Sequence, residues 1–239
     1  MLYWHYYLMG IILLPGIIIA TWAQIKVDLT FKKYNEVLAM SNITASELVK
    51  ALVSAAGMNI QVVHTSGNLS DHYDSKKKVI ALSNEVYHSS SIASLGIACH
   101  EFGHALQDQK HYAPFRLRQI LIPVTNFMSK LLWPLVCIGL VFSFAVVDGG
   151  LIGSIFIWSG IGVFGGSVLV NLVTLPVEYN ASNRAIKLLR ETNTLNEEEL
   201  DGAKKTLNAA ALTYVAALLV SILYLVRFLL LIARFKRDD

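Results

Sequence analysis

The sequence predicts a mostly α-helical membrane protein with about four transmembrane helices and a small α+β domain at the membrane surface. Of the 239 residues, 54% are hydrophobic and 15% are charged, whereas a soluble domain carries about 25% charged residues. Four segments approach the roughly 20 apolar residues needed to cross a bilayer. One long polar region separates the first of these segments from the second.

The four predicted spans follow the apolar runs. The first, roughly Tyr6 to Ile25, lacks the basic start and the small-residue cleavage site of a signal peptide, so we expect a retained anchor. The second and third, Leu131–Val147 and Leu151 to about Leu175, are separated only by "DGG" and predict a helical hairpin. Glycines in the third favour close helix packing. The fourth runs from about Ala209 to Val226.

The long polar region, about residues 24–130, mixes helical and strand-like patterns. Thr44 and Glu47 form a capping-box pattern ahead of a helix that stops at Gly57. The runs "NIQVVH" and "KVIALS" are strand-like, and the turn-rich "TSGNLSDHYDS" lies between them. The second run predicts either an edge strand that pairs with an extended substrate or an ordinary core strand.

A second polar stretch, residues 176–206, predicts two further helix starts. Pro176 fits the first turn of a helix. Asn196 with Glu199 can cap the helix that becomes the last span.

Charge and cysteine content exclude other classes of protein. The net charge is only +3 and basic residues are scattered among acidic ones, so we expect no nucleic-acid binding. Two cysteines, Cys99 and Cys137, are too few for a disulfide framework and indicate buried free thiols.

The strongest chemical signal is the segment from His100 to His104, which matches the zinc-binding pattern H-E-x-x-H. A serine at 89–91 can cap a helix from Ile92 to about Gln109 that contains it. Residues four apart share a helix face, so both histidines can reach one ion. Glu101 lies beside the first histidine, where it can take a proton from a metal-bound water.

A catalytic zinc usually has three protein ligands, so a third ligand is expected elsewhere. Asp108 is excluded, because on a continuous helix it would rise about 12 Å from the first histidine. His72 and His111 are alternatives. Glu178 is favoured, because it follows the third span and the predicted hairpin returns the chain to the face that carries the histidines. The competing interpretation of Glu178 is compensation of a helix dipole at an N-terminus.

Several motifs together resemble those of the YugP-type bacterial membrane zinc metalloproteases. They are H-E-x-G-H-A-x-Q after a serine-rich helix start, "SDHYD" followed by "KVIALS", "LPVEYNAS" after a membrane hairpin, and "LNEEELDGAKKTLNAAALTYVAA". The resemblance covers nearly the whole chain. The chain is more distantly similar to the membrane gluzincins of the HtpX and CAAX-protease kind.

The resemblance implies a zincin-like catalytic region that binds one Zn²⁺ per chain and hydrolyses peptide bonds. His100, His104 and Glu178 would be the metal ligands, and Glu101 the general base. Two positions depart from the related patterns, because Ser182 and Asn180 stand where aspartate is expected. Asn180 is therefore a weaker candidate to support a ligand histidine. An oxyanion donor is also needed, and the candidates are Tyr73, His72, Tyr179 and Arg184.

Two other functions remain in competition. A site-2-type intramembrane protease also uses H-E-x-x-H, with a later aspartate such as Asp148, but that residue is predicted on the opposite membrane face. A non-catalytic membrane chaperone or scaffold with a zinc site would not need the intact Glu101. The expected substrate is a membrane-associated or membrane-proximal polypeptide.

The predicted organisation places the protein in the cell membrane as a multi-pass chain. Basic residues flank both polar regions, so the positive-inside rule favours a cytoplasmic active site, although the C-terminal tail is basic as well. The predicted parts are an N-terminal anchor (1–25), the catalytic region (26–130), a transmembrane hairpin (131–175), the helical segment with the third ligand (176–206), and a C-terminal transmembrane helix with a basic tail (207–239).

Overall fold

The protein is mostly helical with one small sheet. The structure, a computed structural model, describes residues 10–67, 69–145 and 150–238. The helices are α1 (Leu14–Asn35), α2 (Ala45–Ala55), α3 (Asn84–Tyr87), α4 (Ile92–Gln109), α5 (Ala113–Ala145), α6 (Gly150–Glu191) and α7 (Glu197–Asp238). The strands are β1 (Gln61–Thr65), β2 (His72–Asp74) and β3 (Val79–Ser83). The chain forms two compact units, of which the first comprises 1–21, 116–174 and 214–239, and the second 22–115 and 175–213.

Side-chain caps begin three helices of the second unit, as predicted. The hydroxyl of Thr44 accepts from the backbone N–H of Glu47, and the Glu47 carboxylate accepts from the N–H of Thr44. Ser91 caps α4 by accepting from the N–H of Ser94 at 3.1 Å. Ahead of α7, the side chain of Asn196 accepts from the N–H of Glu199 at 2.9 Å. These bonds satisfy backbone donors that have no partner inside the helix.

The sheet has the order β1-β3-β2, which decides between the two interpretations of "KVIALS" and adds a strand within the turn-rich stretch. β3 pairs in parallel with β1 and antiparallel with β2, so "KVIALS" supplies the central strand and cannot offer a free edge. Four of its five residues are buried, as expected between two neighbours. The turn-rich stretch contains β2, and Asp71 ahead of it accepts from the N–H and hydroxyl of Ser83 at 2.7 and 3.0 Å.

α4 lies in the core of the second unit. Its apolar side chains Leu95, Cys99 and Phe102 are at most 1% exposed. They join one cluster with α2, β3, α6 and α7, which includes Leu48, Val49, Ile80, Leu82, Ala185, Leu189, Leu200, Ala203 and Leu207. Burial on several sides fixes the rotation of α4, and with it the direction in which the histidines point.

The first unit contains close packing at glycine positions. A methyl group added at Gly162 would lie 3.1 Å from Met128, and one added at Gly166 would lie 3.1 Å from Thr125. These two pairs run in opposite directions along the chain, so α5 and α6 pack antiparallel, as the predicted hairpin requires. Small residues permit such close approach between helices.

Two helical segments, Trp158–Glu191 and Glu197–Ala233, are long and apolar enough to cross a membrane by length and composition. They contain most of the third predicted span and all of the fourth, whereas the first and second predicted spans are not among the segments found in the described residues. The start of the first predicted span at Tyr6, and the hairpin turn with Asp148, lie outside the described residues.

The prediction of a new helix at Pro176 is wrong. α6 runs without a break from Gly150 to Glu191 and includes this proline in its interior. Proline removes one helical hydrogen bond but does not prevent a helix that is held by packing on both sides of it. Glu178 therefore lies inside a helix, and the interpretation of this residue as a partner of a helix N-terminus does not hold.

Candidate metal centre

Three potential metal ligands converge in the second unit. α4 carries His100 and His104 one turn apart on one face, and α6 presents Glu178 to both. The Oε2 atom of Glu178 lies 3.2 Å from Nε2 of His100 and 3.6 Å from Nε2 of His104. Ligand atoms of all three residues lie within 4.8 Å of one another. This group among the described residues includes neither His72 nor His111.

These spacings fit a tetrahedral zinc site. With metal–ligand bonds of roughly 2.0–2.2 Å, neighbouring donors in a tetrahedron are about 3.3–3.5 Å apart. The two observed distances, 3.2 and 3.6 Å, lie close to that value. Two imidazoles and one carboxylate form a donor set of a catalytic zinc site, in which the fourth position stays open for water or substrate.

The site is buried, and its charges favour a cation. The side chain of Glu178 is 2% exposed, that of His104 9% and that of His100 14%. Burial alone would lower the pKa of His104, but its hydrogen bond to Glu178 and the charges of Glu101 and Glu178 raise that pKa overall. The negative charges around His104 therefore favour a positive charge at this position. A bound divalent cation would be stabilised by the same charges.

Ser182 orients the first histidine. Its hydroxyl lies 3.1 Å from Nδ1 of His100. With Nδ1 donating to this oxygen, Nε2 is left to bind a metal ion at the position that it shares with Glu178. Ser182 stands at the position where related proteins are expected to have aspartate, so a neutral hydroxyl occupies the supporting position here.

Gln107 orients the second histidine and connects the two helices. It is fully buried, and its Oε1 accepts from Nδ1 of His104 at 3.0 Å. Its Nε2 donates to the carbonyl of Val177 at 2.8 Å and to Oδ1 of Asn180 at 3.0 Å. Asn180 also accepts from Nε of Arg184 at 2.7 Å. The amide of Gln107 therefore fixes the tautomer of His104 and connects this histidine to α6, the helix that carries Glu178.

Gly103 allows the two helices to approach. A Cβ atom at this position would lie 2.7 Å from the carbonyl oxygen of Ala181 and 3.2 Å from its Cα. Glycine is thus required by the distance between backbones. Ala181 is three residues after Glu178 and one before Ser182, so this contact sets how closely the carboxylate and the hydroxyl reach the histidines.

Glu101 follows the first ligand and is 8% exposed. It is next to His100 on the helix that carries both histidines, and its charge raises the pKa of His104. A buried carboxylate adjacent to a candidate metal ligand suits the role of a general base.

The proposed oxyanion donors lie in other surroundings. The hydroxyl of Tyr73 donates to Asp108 at 2.8 Å, and Nδ1 of His72 contacts the carbonyl of Ser70 at 2.8 Å. Tyr179 lines a separate cavity, and Arg184 contacts Asn180. The described contacts of these candidates do not include the triad, and the oxyanion donor stays a prediction.

Gln107 and Gly103 are site residues whose importance the local sequence did not reveal, whereas Ser182 stands out through the aspartate expected at its position. An amide and a glycine are common in helices, and neither has a spacing that signals chemistry. The signal that could have singled out Gly103 and Gln107 is their place in the longer motif H-E-x-G-H-A-x-Q.

Comparison with known proteins agrees with this geometry. A family model described as "Putative neutral zinc metallopeptidase" matches residues 9–233. A protein of Bacillus subtilis (strain 168) named "Putative membrane protease YugP" is 41% identical over 212 residues, which cover 88% of this chain and 90% of that protein. No solved structure matches the chain. The family match covers nearly the whole sequence, and the chain belongs to the neutral zinc metallopeptidase family.

Proposed function

We propose that the protein is a membrane-embedded zinc metalloendopeptidase of the gluzincin type. Its substrates would be membrane-associated or membrane-proximal polypeptides. The observation that carries the proposal is the convergence of His100, His104 and Glu178 from two helices, with Glu101 beside them. The family and the name of its 41% identical relative support peptide hydrolysis at a membrane.

In this proposal His100, His104 and Glu178 would hold one Zn²⁺ per chain. When bound, the ion lowers the pKa of a coordinated water and polarises the scissile carbonyl. Gln107 and Ser182 keep both imidazoles in the tautomer that has a free lone pair at Nε2. Glu101 accepts the proton of the attacking water and delivers it to the leaving amine.

The membrane arrangement belongs to the proposal as well. Two described helices qualify as spans, and four spans in a multi-pass chain remain our expectation. Basic residues such as Lys33 and Arg116 flank the polar regions, which supports a cytoplasmic active site. Protease protection of the C-terminus in spheroplasts tests this orientation, because four full crossings from a cytoplasmic site would expose the tail outside.

Replacement of Glu101 by glutamine tests the catalytic step. Glutamine keeps the size of the side chain but cannot accept a proton. We expect zinc content to stay at the wild-type level, while cleavage of casein or of a model peptide falls by about 10²–10⁴-fold. Retained proteolysis in the variant would refute the role of this residue, and a wild type that binds zinc without any cleavage would favour a scaffold.

Replacement of Glu178 by alanine tests the ligand set. We expect loss of zinc, measured by elemental mass spectrometry after dialysis against buffered free zinc. Glu191→Ala is the matched control, because this acid is exposed at the end of the same helix. Equal zinc retention in both variants would exclude Glu178 as a ligand.

A further inference from the structure

The cavity that Tyr179 lines, of about 760 Å³, lies in the second unit between α1, α6 and α7. Its size is in the range of small-molecule binding sites. The lining includes neither the triad nor Glu101, so the cavity is separate from the metal centre. The described lining residues are Lys26, Leu29, Thr30, Lys33, Tyr34, Tyr179, Lys205, Asn208, Ala209 and Leu212.

The cavity is positively charged. Three of its ten described lining residues are lysines, and none is acidic. Lys205 pairs with Asp201, which lies outside the lining, at 2.5 Å. The ammonium groups of Lys26 and Lys33 instead lie 4.9 and 5.3 Å from the ring centroids of Trp22 and Tyr34. Cations grouped around a cavity attract an anionic ligand.

The lining residues fall where the apolar runs of three helices end. Lys26 directly follows Ile25, the last residue of the first predicted span. Tyr179 lies four residues after Leu175, and Ala209 begins the fourth predicted span. This is the depth of lipid headgroups, where tyrosine and the long side chain of lysine are favoured.

The lining also contains apolar and neutral polar side chains. Leu29, Ala209 and Leu212 supply apolar surface that acyl chains would contact. Thr30 and Asn208 supply neutral hydrogen-bonding groups for the oxygens of a headgroup. A ligand that combines a phosphate anion, polar oxygens and hydrocarbon matches these three properties, whereas an acidic peptide or a free phosphate matches only part of them.

The wall of the cavity is held by packing. A Cβ atom at Gly202 would lie 2.8 Å from two ring carbons of Tyr34, so only glycine lets this ring lie against α7. The contact fixes the last turn of α1, with Lys33, next to the turn of α7 that carries Lys205.

We propose that this cavity binds the headgroup of an anionic glycerophospholipid, with Lys26 and Lys33 as the main contacts of its phosphate. The site is independent of the proposed proteolysis, and its test does not require activity.

The test is a lipid titration of the full-length protein in a neutral detergent, followed by thermal unfolding. The probes are phosphatidylglycerol and phosphatidylcholine with the same acyl chains. We expect phosphatidylglycerol to bind at least tenfold more tightly. Each lysine should contribute about fivefold in affinity, so the double variant Lys26→Gln/Lys33→Gln should lose roughly 25-fold.

The matched control is Lys32→Gln/Lys76→Gln, which removes the same charge from exposed positions outside the lining. We expect its affinity to stay within twofold of the wild type. Lys33→Gln alone, with an expected loss of about fivefold, keeps the test decisive if the double variant does not fold.

Four results would overturn the proposal. They are equal binding of both lipids, an equal loss in the control variant, the same stabilisation by inorganic phosphate at the same concentration, and displacement of the lipid by a soluble acidic peptide. The third would assign the cavity to a free phosphoanion and the fourth to a polypeptide.

Discussion

Replacement of Gly103 by alanine tests whether the distance between α4 and α6 controls the metal centre. The new Cβ atom would lie 2.7 Å from the carbonyl oxygen of Ala181, whereas ordinary contacts begin at 3.4 Å. The new Cβ atom is thus about 0.7 Å too close to a backbone atom, and we expect the two helices to move apart by an amount of this order. Because Glu178 lies one turn before Ala181, its carboxylate would move away from both histidines.

A zinc site tolerates deviations of only about 0.2 Å in its ligand distances. We therefore expect Gly103→Ala to weaken zinc binding by about 10–100-fold, the loss typical of a disturbed support of metal ligands. Overpacking costs about 1–3 kcal/mol, against a gain of about 1 kcal/mol from replacing glycine in a helix. The free energy of unfolding should thus fall by up to about 2 kcal/mol.

The assay is zinc occupancy across a series of buffered free-zinc concentrations, together with thermal unfolding in detergent. Gly165→Ala is the matched control, because this glycine is also helical and a Cβ atom there would meet nothing within 4 Å. The control should keep zinc binding unchanged. Wild-type zinc affinity in Gly103→Ala would refute the argument that helix separation sets the ligand geometry.

Three further variants test single contacts. Gln107→Ala should weaken zinc binding by about 10–100-fold, measured by the same titration, and an unchanged affinity would show that the tautomer of His104 is fixed without the amide. Tyr73→Phe should keep peptide cleavage within a few-fold but lower stability by about 1.5–3 kcal/mol, because its hydroxyl donates to the charged Asp108; loss of turnover with unchanged stability would make it the oxyanion donor. In a Cys137→Ser background, Cys99 should resist maleimide at pH 8 until the protein is denatured, because burial raises its pKa to about 12; rapid labelling of the folded protein would contradict this.

Local chemistry made the helix starts and the histidine helix predictable. The caps at Thr44, Ser91 and Asn196 depend on side chains within three residues of the backbone they serve. The i, i+4 spacing of His100 and His104 is equally local. Such features can be predicted from short stretches because the partner is always near in sequence.

Features that depend on distant partners could not be predicted from the same patterns. The central place of β3 follows from pairing with β1 and β2, and nothing within "KVIALS" distinguishes a central strand from an edge. Pro176 suggests a helix start, but packing continues α6 through it. Gln107 contacts Val177 and Asn180 at separations of 70 and 73 residues, so its role depends on how two helices meet.

The unbroken course of α6 has a consequence for the choice of cleavage site. Glu178 lies three residues beyond Leu175, the end of the predicted span, which at the helical rise is about 4.5 Å along the axis. In the proposed protease, this short distance along one helix would keep the metal ligand near the end of the predicted span. For a substrate anchored in the same bilayer, the depth of its own hydrophobic segment would select the peptide bond that is cut. If the substrate's hydrophobic segment is lengthened by one residue, the cleaved peptide bond should move by one residue along the substrate. This shift should not depend on the side chains that flank the cleaved bond.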